Sequence, residues 1–368
     1  SYDVWIIKLD SNGNQIWNET FGGSGWDDAR GVTTDSSNNI IVAGSTTSFG
    51  GSYDVWIIKL DSNGNQIWNK TFGGSSGEEA WSVTLDSSNN IIVAGSTGSF
   101  GAGSYDVWII KLSDPYTYTC GILDQPNTVY TLTQNVSSSE TCFTIEANNV
   151  TLDCNGYTIN YSQSNTGYGV YVNGYNNATI KNCNIQQANS AVSSAHGIHF
   201  SNSANSTVQN TNITTIGSSS NNIVLSSSSN IKVINNSLLA LGSTTYGIYI
   251  EGGSNNLISN NTINSTTQYN VGIQLYSNSI NNRIENNRIT SYNSAIILMS
   301  NANYNNITNN NLTSNNYYGV SLGSSSNNTF SNNNITSTNY AGAYLESSSN
   351  SNTFSNNTIT STNSYGTY

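Results

Sequence analysis

The motifs GIHF at Gly197, NIVL at Asn222, GIYI at Gly247, GIQL at Gly272, AIIL at Ala295, GVSL at Gly319, GAYL at Gly342 and GTY at Gly366 follow one another at intervals of 25, 25, 25, 23, 24, 23 and 24 residues. An earlier member, GVYV, starts at Gly169. A period this short leaves few architectures open, because each unit can bury its apolar side only against the next. Every unit carries two further short strand candidates, as in NNLISNNTINSTT from Asn255 and NNTFSNNNITSTN from Asn327. Three short strands joined by Asn-rich bends describe one coil of a parallel β-helix. Asn accepts left-handed bends and stacks its amides into ladders when it repeats in register. Ile, Val, Leu and Phe at alternate positions would fill the core. Nine or so coils at ~4.8 Å each predict a rod of roughly 40–45 Å.

A longer repeat precedes it. SYDVWIIKL occurs at Ser1, Ser52 and Ser104, at spacings of 51 and 52 residues. Each unit offers four strand candidates, represented by DVWIIKLD, NQIWNETF, DDARGVTTD and NNIIVAGST, with SNGN as a hairpin turn signal. Four short strands at this period match a propeller blade. The stretch YDVWIIKLDSNGNQIWNKTFGGSSGEEAWSVTLDSSNNIIVAGST resembles the extracellular SBBP-type β-propeller repeats, over about residues 1–112. The units from Cys142 resemble the right-handed β-helix of the NosD-type and pectate-lyase-like superfamily, and CFTIEANNVTLDCNGYTI resembles a first coil of the NosD type. The expected fold is all-β. It comprises propeller-type blades over 1–115 (an incomplete propeller), a linker and N-terminal cap over 116–141, and a right-handed parallel β-helix of about nine coils over 142–368. About two blades are too few to close a propeller, and YGTY at Tyr365–Tyr368 reads as the start of a further coil. The chain is therefore expected to be a segment of a longer protein or a protomer joined head to tail with its copies.

Charged residues are only 8% of the chain and the net charge is −11, which argues against nucleic acid or an anionic membrane as partner. No apolar run is long enough to span a bilayer. All seven Trp lie between Trp5 and Trp108. They could stack on sugars, but the recurrence of Trp5, Trp56 and Trp108 at one repeat position favours packing between blades. The DSNGN turns at Asp10 and Asp61 faintly resemble calcium loops, yet no Glu closes them, which favours plain hairpins.

Catalysis by a β-helix would need carboxylates gathered on one face. From Cys142 onward the acids are only Glu146, Asp153, Glu251, Glu285 and Glu346, with none at matching positions of adjacent coils. His196 and His199 could ligate a metal, but without further ligands they read as solvent-exposed strand residues. Arg283, Glu285 and Arg288 form one compact charge cluster, read as a surface salt bridge. Four cysteines allow three pairings. Cys154 and Cys183 lie 29 residues apart, near one coil, which leaves Cys120 with Cys142. Sixteen N-x-S/T sequons occur, among them Asn18, Asn69, Asn135, Asn212, Asn264, Asn311 and Asn334, a number that composition alone predicts. Disulfides place the chain outside the cytoplasm, at an extracellular or cell-surface site. The expectation is a non-catalytic structural or adhesive surface protein without cofactor or metal. Its expected partners are its own copies, other surface proteins or glycans, and polyuronates are not cleaved. The alternative is a carbohydrate-binding or carbohydrate-active β-helix, to be favoured by a clustered acid pair or an aromatic-lined groove on one face. NosD-like metal handling lacks ligands, with two His and the single Met299.

Overall fold

The computed structural model describes residues 1–368 apart from 36–37, 87–89, 113–115, 118, 347 and 364–368. The chain divides into two compact units, Ser1–Asp114 and Pro115–Tyr368.

The second unit is a right-handed parallel β-helix whose coils run from residue 121 to 361. Each coil gives one strand to each of three parallel sheets. Sheet I runs from Gly121–Leu123 to Ala343–Leu345, sheet II from Tyr116–Thr117 to Thr353–Ser355, and sheet III from Val136–Ser137 to Thr358–Ser361. The pairing stacks like on like. Ile248 lies on Ile273 and Ile296 in sheet I, and Ile263 lies on Ile289 and Leu312 in sheet III. All six are fully buried. The expected coils are present, and one coil already begins at Gly121, inside the stretch read as linker and cap. The YGTY segment at 365–368 lies outside the described residues.

In the coils that hold Asn255, Asn281 and Asn327, two of the three bends carry an Asn pair. In the NNxI pattern the first Asn turns the backbone through the left-handed region, as at Asn260 (φ 56°) and Asn286 (φ 56°). The second is buried, and its carboxamide is fully used. Asn261 donates its backbone N–H (2.9 Å) and its amide N–H (3.0 Å) to Asn287 Oδ1 on the next coil, and also donates to the Val233 and Ser259 carbonyls. The links run Asn236, Asn261, Asn287, Asn310, Asn333, Asn357. A parallel ladder runs Asn256, Asn282, Asn305, Asn328, Asn352. The disulfides are Cys120–Cys142 and Cys154–Cys183, as expected from their spacing.

The first unit is built of small antiparallel sheets. Strands β1 (Val4–Leu9) and β2 (Gln15–Phe21) form a hairpin. Strands β3 (Asp27–Thr34), β4 (Ile40–Thr46), β5 (Asp54–Leu60) and β6 (Gln66–Phe72) form a four-stranded sheet in that order. Strands β7 (Glu78–Leu85), β8 (Ile91–Thr97) and β9 (Asp106–Leu112) form a third. The expected propeller is thereby reduced to its sheets: among the described residues no ring of blades is closed, because the repeat supplies one complete four-stranded sheet and two partial ones. Identical letters meet different surroundings in the three copies. Val55 and Ile57 on β5 are 1% and 0% exposed, packed with Ala80 and Val83 of β7. Their counterparts Val107 and Ile109 on β9 are 81% and 57% exposed. Trp56 is buried while Trp5 is exposed, so packing explains one repeated Trp and not the other. Buried Lys59 pairs with Asp35 at 2.8 Å.

All Trp fluorescence reports the first unit, so the two units can be followed separately. Ile57→Ala should cost about 2–5 kcal/mol in urea unfolding followed by Trp emission, and Ile109→Ala within about 0.5 kcal/mol. Equal costs would contradict the described packing. Reducing both disulfides should lower the far-UV circular dichroism transition by about 2–4 kcal/mol per bridge and leave the Trp transition in place.

Candidate functional site

The outward side of sheet I collects rings that the repeat pattern places in columns. One column runs Tyr171, His199, Val224, Tyr249, Gln274, and its neighbour Ser201, Ser226, Glu251, Tyr276. A third column, two residues before each strand's first aliphatic residue, contributes Tyr168, His196 and Tyr246. The glycine between the outer columns is required. A β-carbon at Gly247 would lie 2.3 Å from Ile263 Cγ2 and 2.7 Å from the Gly272 carbonyl. Each strand therefore enters tightly against its neighbour, and the side chains before and after the Gly-aliphatic pair both turn outward.

Two ring clusters result. In the first, Tyr168 stacks on Tyr171 at 5.0 Å and on His196 at 5.8 Å, and meets His199 edge-on at 5.1 Å. The two imidazoles lie 5.7 Å apart, edge to face. In the second, Tyr246 stacks on Tyr249 at 5.2 Å and Tyr249 on Tyr276 at 6.4 Å. All seven rings are half-buried, with part of each open to solvent. A further group, Tyr317, Tyr318, Tyr340 and Tyr344, includes a parallel stack of Tyr318 on Tyr344 at 4.3 Å.

The histidines are not the solvent-exposed strand residues that the sequence suggested, because the tyrosines flank them. His196 Nδ1 accepts the Asn221 backbone N–H at 3.0 Å, which leaves its proton on Nε2. His199 Nε2 lies 3.3 Å from Ser226 Oγ, and its Nδ1 is buried without a partner. Burial pushes both pKa values down to about 4, and for His196 the nearby His199 adds to the effect. Both rings are thus neutral at neutral pH. Burial, and then the Glu251 carboxylate, holds the Tyr249 hydroxyl above its ordinary range. The face therefore offers apolar ring surfaces, phenol donors and a neutral proton acceptor.

The remaining acids stay apart. Asp153 pairs with Lys181 at 3.0 Å and Glu285 with Arg283, both on sheet II, while Arg288 lies on a sheet III strand. The proposed charge cluster is therefore one ion pair and a separate arginine. Asp10 Oδ1 accepts the Asn12 and Asn14 backbone N–H groups at 2.8 Å each, and Asp61 repeats this, as plain hairpins require. Among the sequon residues, Asn212, Asn311 and Asn334 are exposed on sheet III and Asn264 is half-buried there. Asn18 and Asn69 accept the indole N–H groups of Trp5 and Trp56, and Asn135 accepts the Thr158 N–H. The tyrosines were missed by sequence reasoning, although a signal was present: YGVY at Tyr168, HGIH at His196 and YGIY at Tyr246 share a ring-Gly-aliphatic-ring pattern.

Residues 191–367 match the family model of NosD, described as periplasmic copper-binding protein. This stretch, a little under half of the chain, is similar to NosD-type domains. No curated protein matches the chain. Among solved structures, the Azotobacter vinelandii mannuronan C-5 epimerase AlgE6 A-module is similar at 14% identity, with 68% of this chain and 89% of that chain covered and a TM-score of 0.48. A mutant form of the periplasmic alginate epimerase AlgG aligns at 13% identity over 66% and 73%, with a TM-score of 0.45. DFA-IIIase from Arthrobacter chlorophenolicus A6 in complex with GF2 aligns at 11% identity over 66% and 74%, with a TM-score of 0.42. The likeness is one of fold. These neighbours are named as epimerases and as DFA-IIIase, which stands against the expectation of a non-enzyme without assigning an activity to this chain. The donor set does not fit a copper centre. All four cysteines are in disulfides, and among the described residues no three His, Cys, Asp or Glu side chains gather around a metal-sized space.

The histidine packing has a pH signature. Unfolded rings take up protons near pH 6.5, whereas the folded ones resist until about 4. The stability this gives is fully present above pH 6.5 and is lost as pH falls towards 4. With only two histidines in the chain, both imidazole proton resonances should titrate in NMR with midpoints well below 6. Midpoints near 6.5 would contradict the ring packing.

Proposed function

We propose that the β-helix is an extracytoplasmic carbohydrate-active module that holds a saccharide across the aromatic face of sheet I. The observation that carries this reading is the pair of ring clusters on one outward face, the aromatic-lined surface that distinguishes it from a bare structural coil. Tyrosine rings offer an apolar face to the C–H side of a sugar and a hydroxyl to its polar rim. From Tyr171 to Tyr249 is three coils, or about 14 Å, the reach of a short oligosaccharide lying along the rod. Neutral His199 beside Ser226 can accept a proton from a bound sugar, the role of a general base. Two disulfides suit an oxidising compartment. In the first unit, the packing of β5 against β7 supports reading the antiparallel sheets as propeller-type blades.

Oligosaccharide binding measured by calorimetry should weaken about tenfold, near 1.4 kcal/mol, in Tyr249→Ala and in Tyr171→Ala. His199→Gln should keep binding and lose turnover of the bound sugar. A panel of neutral and acidic polysaccharides that shows no binding, or binding untouched in the double tyrosine variant, would refute the proposal.

A further inference from the structure

The first unit holds a carboxylate pair that its own hydrogen bonds do not explain. Asp54, at the start of β5, is 8% exposed, and its Oδ1 is buried with no hydrogen-bond partner. Glu78, at the start of β7, is fully buried. Both reach over Gly73, which must be glycine. A β-carbon there would sit 1.9 Å from Asp54 Oδ1 and 2.7 Å from Glu78 Oε2, so both oxygens crowd the same point. Glu78 is satisfied by protein donors: Gly74 N–H at 2.8 Å on Oε2, and Thr97 Oγ1 at 3.0 Å and Ser99 N–H at 3.1 Å on Oε1. Asp54 has none of these. Burial and the facing Glu78 charge hold the Asp54 carboxyl above its ordinary range, while donors from Ser99, Gly74 and Thr97 outweigh burial and hold Glu78 below its own.

The other repeats sharpen the contrast. In the preceding copy, Asp3 and Asp27 bracket Gly22 in the same way, but Asp3 is exposed to water. Asp27 is saturated by Gly23 N–H (2.9 Å), Ser48 Oγ (2.7 Å) and Thr46 Oγ1. In the following copy, Asp106 accepts the Gly103 N–H at 3.2 Å. Asp54 alone combines deep burial with an idle oxygen aimed at a second carboxylate. A buried unpaired carboxylate beside a like charge is strongly unfavourable unless something neutralises it.

We propose that Asp54 and Glu78 bind one divalent cation of the hard, oxygen-preferring class, Ca²⁺ in an extracytoplasmic setting, between β5 and β7. Two carboxylates supply the charge, and backbone carbonyls and water complete the oxygen shell, as in weakly binding extracellular calcium modules. The ion ties two sheets together, so it acts on the stability of the first unit. The site is separate from the Asp10 and Asp61 turns, whose carboxylates close their own hairpins.

The test uses the full chain freed of metal with a chelator. Adding Ca²⁺ at about ten times a millimolar-or-tighter dissociation constant should raise the Trp-monitored melting midpoint by about 5 °C, and should leave the circular dichroism transition of the Trp-free β-helix in place. Calorimetry should give a stoichiometry near one. Asp54→Asn, which removes the repulsion and should fold without metal, must abolish the shift, whereas Asp3→Asn must keep it. Lowering the pH should weaken Ca²⁺ binding as the Asp54 carboxyl takes up a proton in its place. No Ca²⁺-dependent shift in the parent chain, or an equal shift in Asp54→Asn, would overturn the proposal. In that event, a gain in metal-free stability on Asp54→Asn would identify a proton shared between the two carboxyls.

Discussion

The β-helix depends on a buried amide ladder. A carboxamide has a donor side and an acceptor side, so identical side chains stacked one coil apart can satisfy one another without end. Serine or threonine in that position supplies one hydrogen and cannot both cap the bend and reach the next coil. Each ladder Asn here turns its oxygen to the coil before it and its hydrogens to the coil after it and to a nearby carbonyl. The bend carbonyls and N–H groups that would otherwise be orphaned inside the rod are paired in this way. Because an amide one position out of register would find no partner, the ladders also fix where the strands of sheets II and III start. Coil lengths can then vary by a few residues, in the bend that leads back to sheet I and by one residue in the bend after it, while the two ladders stay five residues apart.

Fixed strand starts decide which residues face out. The core columns are mostly aliphatic, with Phe200 and Phe330 among them, so most variation falls on the outward columns, where sheet I places several rings. Few charges are needed on such a surface, and few are present. The tight strand entry at Gly169, Gly197 and Gly247 brings the residues on either side of it to one face, which is how Tyr168 meets Tyr171 and His196 meets His199. The aromatic face is thus a consequence of register, glycine and the choice of residue at two outward positions.

Much of this was legible in the sequence. The 23–25-residue period gave the coil, the Asn pairs gave the bends, and a 29-residue spacing gave the Cys154–Cys183 bridge, because that length is about one turn of the rod. The coil from Gly121 was harder to see, since it lacks the Gly-aliphatic motif that marks the later ones. His196 and His199 were misread as exposed because their shelter comes from Tyr168 and Tyr171, one coil away and 28 residues earlier in sequence. The same holds in the first unit. Trp5 and Trp56 sit in identical nonapeptides, yet one is open and one enclosed, since enclosure depends on the neighbouring sheet and not on local sequence. The Asp54–Glu78 pair was invisible for the same reason: 24 residues separate two carboxylates that only the packing of one sheet against another brings together.

The ladder can be tested at a single rung. Asn287 links Asn261 to Asn310. Replacing it with alanine leaves the Asn261 N–H and amide and the Ile258 carbonyl without their bonds to it, and takes one of two donors from Asn310 Oδ1. Equilibrium urea unfolding of Asn287→Ala, followed by far-UV circular dichroism, should show a loss of about 3 kcal/mol in the β-helix transition, with the Trp transition of the first unit unmoved. A loss under about 0.5 kcal/mol, the size expected at an ordinary surface position, would contradict the account and leave the aliphatic core alone as the source of register.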